Sequence, residues 1–240
     1  MSALSSDALR SYRVLDFPPD ATAWQHASFS VVDLETTGLD PAYDEIISFA
    51  AVTVADGRIR LDDARYELVR PNQMPDWDTI RIHGLREADL EGARPLDEVL
   101  DALIEALAGR VLVAHVAAVE RGFLGAALST VGEKLRNPIV DTAALDQELR
   151  RLRGQPAASG DPVGLSEMAR ALGLPVHRPH EADGDALTTA QAFIALATHL
   201  DEFELQTVGS LRRPEDATTR PGLVSRLLGI LPGRGGSAKP

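Results

Sequence analysis

Two acidic residues, Asp33 and Glu35, interrupt an otherwise apolar and β-branched run, FSVVDLETTGL, which spans residues 29–39. A run of this kind that ends in Thr-Thr-Gly predicts a buried strand leading into a turn. Because alternate side chains of a strand share one face, the two carboxylates should project together, with Leu34 on the opposite face. Two carboxylates side by side at a half-buried strand end are unfavourable unless a positive charge lies between them. The simplest candidate for that charge is a divalent cation.

Two further acids stand at the beginnings of predicted helices. Glu120 heads the apolar face of one helix, so its side chain should point toward the sheet. The alternative is a glutamate that complements the helix dipole and pairs with Arg121. Asp185 opens the last long helix, five residues after His180 in the segment PHEADGDAL. The alternative there is an ordinary capped helix start, with Asp183 as the cap.

Composition limits the classes of protein to consider. The chain has 240 residues, of which 44% are hydrophobic and 25% charged, as expected for a folded protein with a sizeable core. The net charge of −12 disfavours a protein that grips long duplex DNA through its phosphates, but permits an enzyme that engages a short end through bound metal ions. The absence of cysteine excludes thiol chemistry, disulfides and cysteine-ligated zinc. Without an apolar signal core or a membrane span, we expect a cytoplasmic protein that does not associate with membranes.

The order of the elements predicts an α/β fold. Asp56-Gly57 lies between the apolar runs 45–55 and 58–69, which is typical of a hairpin turn between two strands. Residues 71–94 are predicted to be a long loop with one short helix near 86–90. Strands and helices then alternate, with strands at 111–114 and 139–141 and helices beginning near 95, 117, 142, 165 and 184. This order predicts a mixed central sheet, antiparallel in its first hairpin, with helices covering both faces.

Three regions are predicted from changes in composition: an N-terminal arm over 1–27, one main domain over 28–204 and a tail over 205–240. The tail is rich in Pro and Gly and carries six basic residues against two acidic ones. A disordered tail is the favoured interpretation. The alternative is a segment that docks on a polymerase or other protein partner, or that attracts nucleic acid electrostatically.

Three motifs, taken in order, resemble one known family. They are DLETTG at 33–38, an acid that follows Ala-His in a central helix, and His-x4-Asp at the start of a late helix. This pattern resembles the DEDDh 3′–5′ exonucleases, the group typified by the proofreading epsilon subunit of bacterial DNA polymerase III. The resemblance covers about residues 28–199. The segments IHGL at 82–85 and VDTAAL at 140–145 match two further motifs of the family.

The resemblance implies an RNase H-like fold and a site that binds two divalent cations, Mg²⁺ or Mn²⁺. In such a site the carboxylates of Asp33, Glu35, Glu120 and Asp185 bind the metal ions and take part in catalysis, and His180 accepts a proton from the attacking water. The residues implied to contact the substrate are Thr36, Thr37, Gly38 and His83. The implied reaction is hydrolysis of phosphodiester bonds at the 3′ end of single-stranded DNA or RNA, releasing nucleoside monophosphates.

Two positions depart from the family pattern. The chain has Val116 where the family usually has Asn, and Glu120 where it usually has Asp. Glutamate keeps the charge and adds one methylene, so we expect activity to survive with an altered rate or metal preference. The alternative function is a catalytically weak or silent module that binds nucleic acid or a polymerase partner. His115 and Asp141, which lie close to these motifs, are predicted to have structural roles.

Overall fold

The computed structural model describes residues 6–156 and 162–212, which fold around one six-stranded sheet. The strands are β1 Ser28–Thr36, β2 Ile46–Ala55, β3 Arg58–Arg70, β4 Arg94–Pro95, β5 Val111–Ala114 and β6 Ile139–Asp141. The helices are α1 Ser6–Val14, α2 Trp77–His83, α3 Glu87–Leu90, α4 Leu96–Leu107, α5 Ala118–Ser129, α6 Thr142–Leu152, α7 Leu165–Ala171 and α8 Ala182–Asp201. The strand order across the sheet is β4-β3-β2-β1-β5-β6.

The sheet is mixed, as predicted. β1 pairs antiparallel with β2, which pairs antiparallel with β3, whereas β5 and β6 run parallel to β1. The turn between β2 and β3 places Asp56 at φ +53° and Gly57 at φ +66°. Two successive left-handed residues are what a tight turn needs to match the twist of its flanking strands, and Asp-Gly supplies them. The predicted hairpin is therefore confirmed.

Two hydrophobic clusters cover the two faces of the sheet. Phe29 and Val31 of β1 pack in one cluster with α8, and Val32 and Leu34 pack in the other with α4 and α5. The alternation along β1 thus places Asp33 and Glu35 on the α8 face, with Leu34 on the opposite one. The predicted helical cover on both faces is confirmed.

Two helices lie inside the segment 71–94: α3, which is the short helix that the sequence predicted near 86–90, and α2, where the sequence predicted only loop. Asp76 caps α2 by accepting a hydrogen bond from the backbone N–H of Thr79 at 2.9 Å. Gly84 ends the helix at φ +73°. The loop prediction was wrong here because seven residues are too few to show helical periodicity, although the capping Asp and terminal Gly are present in the sequence.

Both chain ends of the described structure pack on this core. Tyr12 of α1 is fully buried, and its hydroxyl donates to Oδ1 of Asn137 at 2.9 Å. Near the other end, Val208 and Leu211 are fully buried in the α8 cluster. The folded structure therefore continues past residue 204, and residues 213–240 of the predicted tail lie outside the described residues. Of the helices that the structure describes, none is long and apolar enough to cross a membrane.

Candidate active site

Three carboxylates from distant parts of the chain meet at the end of β1. Asp33 and Glu35 project from β1, and Asp185 projects from the first turn of α8, which packs across β1 and β2. One oxygen from each carboxylate lies within 4.8 Å of the others. The structure thus brings together three of the four acids that the sequence singled out.

A cleft with a volume of about 250 Å³ opens beside these carboxylates. The predicted site residues that line it, besides the three acids, are Thr36, Gly38, His83, Glu120 and His180. Its apolar wall is formed by Leu39, Ile82, Val116, Val119 and Leu165. Among the described residues that line the cleft, none is lysine or arginine, so no protein cation offsets the acids from within it.

The electrostatics of the three carboxylates follow from burial and mutual repulsion. Burial raises the pKa of Asp33 well above its ordinary value, and the charges of Glu35, Glu120 and Asp185 raise it further. Burial, with the charge of Asp185, raises the pKa of Glu35 to about 8. Burial also raises the pKa of Asp185, partly opposed by a hydrogen bond from the backbone of His180. Without a cation, this site therefore retains protons that ordinary carboxylates lose well below neutral pH.

Glu120 lies in the same cleft but outside the group of three. Its side chain points inward from the first turn of α5, as predicted, and only 5% of the residue is exposed. Its Oε2 is buried without a hydrogen-bond partner, and burial raises the pKa of Glu120 to about 8. This burial favours the inward-pointing glutamate over the alternative of a glutamate that complements the helix dipole and pairs with Arg121.

The donor set fits a divalent metal. An unpartnered buried carboxylate oxygen is unfavourable by itself, and Glu120 has one while lying close enough to Asp33 and Glu35 for their charges to interact. Clustered carboxylate oxygens are the ligands that hard divalent cations prefer. Asp33, Glu35 and Asp185 could therefore hold a divalent metal ion. Glu120 lies close enough to interact electrostatically with an ion held there.

His180 stands at the rim of the cleft on an exposed loop. Its backbone N–H donates to Oδ2 of Asp185 at 2.9 Å, and its backbone is left-handed, with φ +63°. The spacing of five residues between the two thus corresponds to a direct contact. His180 lines the cleft, and the carboxylate of Asp185 holds the loop through this backbone N–H. The alternative that Asp183 caps α8 is not observed, because Glu181 occupies the cap position and Asp183 pairs with Arg178.

Asp44 stabilises the turn that follows β1 through hydrogen bonds. The carboxylate of Asp44 accepts hydrogen bonds from the backbone N–H of Asp40 at 2.8 Å and from the hydroxyl of Thr37 at 3.3 Å. A Cβ at Gly38 would lie 2.5 Å from that carboxylate, so a side chain there would have to displace Asp44 from its present position. Thr36 and Gly38 line the cleft, whereas the hydroxyl of Thr37 is turned into the loop.

His83 lines the cleft from α2, almost completely buried. Its Nδ1 accepts a hydrogen bond from the backbone N–H of Leu85 at 3.0 Å. Burial lowers the pKa of His83, so the ring is neutral at neutral pH and carries its proton on Nε2. Nε2 is buried without a protein partner. His83 is thus a ready hydrogen-bond donor at the cleft wall.

His115, which lines the cleft, and Asp141, which lies outside its lining, connect neighbouring segments of the site. The ring nitrogens of His115 lie 3.0 Å from Thr142 Oγ1 and 3.0 Å from the carbonyl oxygen of Val163, and burial lowers its pKa to about 4. Asp141 accepts hydrogen bonds from the backbone N–H groups of Val116 and Ala117, at 2.9 and 3.1 Å. Both contacts connect β5, β6 and their loops, which is the structural role that the sequence predicted.

Comparison with known proteins shows the family to which the chain belongs. Residues 30–193 match the model of the RNase T family, described as exonuclease. The chain belongs to the RNase T family of exonucleases. Among its relatives, a PolC-type DNA polymerase III of Thermotoga petrophila is 31% identical over 81% of this chain, and a DNA polymerase III subunit epsilon-like protein of Rhodobacter capsulatus is 32% identical over 77%. The aligned part spans 14% of the first protein and 26% of the second.

Solved structures of two exonucleases share the fold. Exonuclease X in complex with 5′-overhanging duplex DNA superimposes with a TM-score of 0.58 at 22% identity, covering 78% of this chain and 98% of that one. E. coli exonuclease I in complex with a dT13 oligonucleotide superimposes with a TM-score of 0.65 at 15% identity, covering 74% and 42%. The predicted RNase H-like fold is therefore confirmed, and the predicted enzyme class is confirmed as far as membership of an exonuclease family.

Proposed function

We propose that this protein hydrolyses phosphodiester bonds at the 3′ end of single-stranded DNA or RNA and releases nucleoside monophosphates, with two divalent cations, Mg²⁺ or Mn²⁺, as cofactors. The observation that carries the proposal is the meeting of Asp33, Glu35 and Asp185 within 4.8 Å, beside a histidine that lines the same cleft. Family membership supplies the reaction class.

Each residue has a role that its position supports. Asp33, Glu35 and Asp185 hold the cations, and Glu120, with its unpartnered Oε2, completes the set of ligands. When bound, divalent cations of this kind activate a water molecule and stabilise the charge that develops on the leaving oxygen. His180 accepts the proton of the attacking water on its imidazole, since histidine is the side chain most often used as a general base near neutral pH.

The substrate is positioned by the walls of the cleft. The apolar side chains of Leu39, Ile82 and Val119 are placed to contact the terminal nucleoside, and Thr36 and Gly38 lie against it with their backbone. His83 donates from Nε2 to an acceptor on the substrate, which would satisfy an otherwise unpartnered buried group. Since Thr37 is engaged with Asp44, its part in this proposal is to shape the turn.

A second candidate is a weak or silent module that binds nucleic acid or a polymerase partner without cutting. It is favoured by one observation, that Glu120 lies outside the group of three carboxylates. For either candidate function, we also propose a polymerase partner and a cytoplasmic location. The polymerase III names of the relatives support this proposal. Docking of a partner by the tail stays a prediction.

The test of the proposal is the direction and product of cleavage. An oligonucleotide labelled at its 5′ end should give a ladder that shortens from the 3′ end with Mg²⁺ or Mn²⁺, and chromatography should identify nucleoside monophosphates as the product. A 3′-terminal phosphorothioate linkage should slow the first cleavage. Binding of the oligonucleotide without any shortening, in either metal, would favour the silent module instead.

A further inference from the structure

The loop that carries His180 has an unfavourable backbone. Arg178 has φ +26° and His180 has φ +63°, and neither residue is glycine. Left-handed conformations of this kind persist only where the surrounding structure holds them. Loop 177–180 is also exposed at residues 178–180, so packing of these side chains in the core cannot account for its conformation.

Thr188 connects this loop to α8. The residue is fully buried, and its hydroxyl accepts a hydrogen bond from the backbone N–H of His177 at 3.0 Å. The same hydroxyl donates to the carbonyl oxygen of Gly184 at 2.8 Å. Both bonding capacities of the hydroxyl are therefore used, one toward the loop and one toward the helix.

Gly184 allows the loop to lie directly on the first turn of α8. A Cβ at this position would lie 2.5 Å from the carbonyl oxygen of His177 and 2.6 Å from that of Arg178. No real side chain tolerates such distances to backbone atoms. Glycine lowers helix stability, so its presence inside α8 is explained by this close approach.

The end of the loop is also held on α8, because the N–H of His180 donates to Asp185. We propose that Thr188 and Gly184 are positioning residues, which hold loop 177–180 so that the imidazole of His180 faces the cleft for proton transfer. The inference rests on the proposed function of His180. Thr188 lies outside the cleft lining and is fully buried, so it acts through the loop and not on the substrate.

The test compares Thr188→Val, which keeps the shape and removes the hydroxyl, with Thr188→Ser, which keeps the hydroxyl. Thr188→Val should lower kcat by about tenfold to a hundredfold, with KM and the half-saturating Mn²⁺ concentration changed by less than about threefold. Thr188→Ser should retain activity within about threefold. The matched control is Thr198→Val, because the hydroxyl of Thr198 makes the same type of bond on α8, to Ile194 at 2.7 Å, but contacts no loop.

Gly184→Ala gives a second, independent variant. The added methyl group should displace the loop and reproduce the kcat loss of Thr188→Val. Its control is Gly125→Ala, since a Cβ at Gly125 of α5 would meet nothing within 4 Å. Equal activity of Gly184→Ala and wild type would overturn the proposed role of Gly184.

A double-mutant cycle with His180→Ala separates positioning from general stability. In the His180→Ala background, Thr188→Val should cost less than about a further twofold, because the group that it positions is gone. A further loss of about tenfold would show that Thr188 acts on the fold or the metal site, and would overturn the proposal.

Amide hydrogen exchange decides the proposal without reference to activity. The N–H of His177 should exchange at least about tenfold faster in Thr188→Val than in wild type, Thr188→Ser or Thr198→Val. Unchanged exchange would overturn the inference. A wild-type protein that shortens no oligonucleotide would instead refute the proposed function, so the two failures are distinguishable.

Discussion

The carboxylate of Asp141 accepts a hydrogen bond from the backbone N–H of Val116 at 2.9 Å, and Val116 is held at φ +59°. A β-branched residue is strongly disfavoured in this left-handed region. The neighbouring N–H of Ala117 is bound to the same carboxylate at 3.1 Å, so the loop between β5 and α5 is fixed in shape whatever side chain it carries. This loop leads directly to Glu120, so its strain lies next to the active site.

Val116→Asn should stabilise the protein, because asparagine tolerates the left-handed conformation that the loop imposes. We expect the free energy of unfolding to rise by about 1 kcal/mol, measured by chemical denaturation in EDTA. Val119→Asn is the matched control, since Val119 lines the same cleft but lies in the helix α5. This substitution should lower the free energy of unfolding. A loss of stability in Val116→Asn would show that packing of the valine side chain stabilises the protein by more than its left-handed backbone destabilises it.

Glu120→Gln separates the charge of this residue from its shape. Turnover should fall by about tenfold or more and the half-saturating metal concentration should rise, because one acidic ligand is lost. Glu105→Gln, an exposed change on α4, should leave both quantities unchanged. Undiminished activity in Glu120→Gln would mean that three carboxylates are enough and that Glu120 has no part in metal binding.

Stability in EDTA should fall as the pH rises toward 8. The pKa of Glu35 and that of Glu120 are each raised to about 8 from an ordinary value of 4.5, so the folded state retains protons that the unfolded state has lost. Between these pH values the unfolded state binds fewer protons, and the free energy of unfolding therefore decreases with pH.

The measurement for this prediction is the thermal midpoint at about pH 5 and about pH 8, in EDTA and in Mn²⁺. Mn²⁺ should raise the midpoint more at the higher pH, since the metal competes with protons for the same oxygens. Glu120→Gln should reduce the change of the thermal midpoint with pH in EDTA. A thermal midpoint in EDTA that rises toward about pH 8 would contradict the conclusion that Glu35 and Glu120 are buried in their protonated form.

A chain that ends at residue 204 should be less stable than one that ends at residue 212. The shorter chain loses the buried side chains of Val208 and Leu211 and the contact of Arg212 with Asp20, at 2.6 Å. The expected loss is about 2–4 kcal/mol, mainly from the two apolar side chains, and thermal unfolding measures it. Equal midpoints for the two chains would place the end of the folded domain before residue 205, as the sequence predicted.

The central strand and its neighbours were predictable because their signals are local. Two-residue alternation placed Asp33 and Glu35 on one face, and Asp56-Gly57 fixed the hairpin. The inward direction of Glu120 followed from the apolar face of α5. These features depend on side chains that are close in sequence, so composition and spacing are enough to indicate them.

Other features depend on contacts between distant segments. The left-handed Val116 is imposed by Asp141, which lies 25 residues away. α2 is too short for periodicity, yet it supplies Ile82 and His83 to the cleft wall. The exclusion of Glu120 from the group of three depends on how α5 is placed on the sheet, which no local pattern specifies.

The most direct test of the account is the rate at which a 5′-labelled oligonucleotide shortens in Mn²⁺, compared between wild type and Asp33→Asn. Asparagine keeps the shape but removes the charge of the acid whose pKa responds to all three of its neighbours. We expect wild type to shorten the strand from its 3′ end, EDTA to stop the reaction, and Asp33→Asn to lower the rate by about a hundredfold or more. Asp62→Asn, an exposed change on β3, should match wild type. Full activity in Asp33→Asn, or shortening that persists in EDTA, would contradict a metal-dependent site at the end of β1.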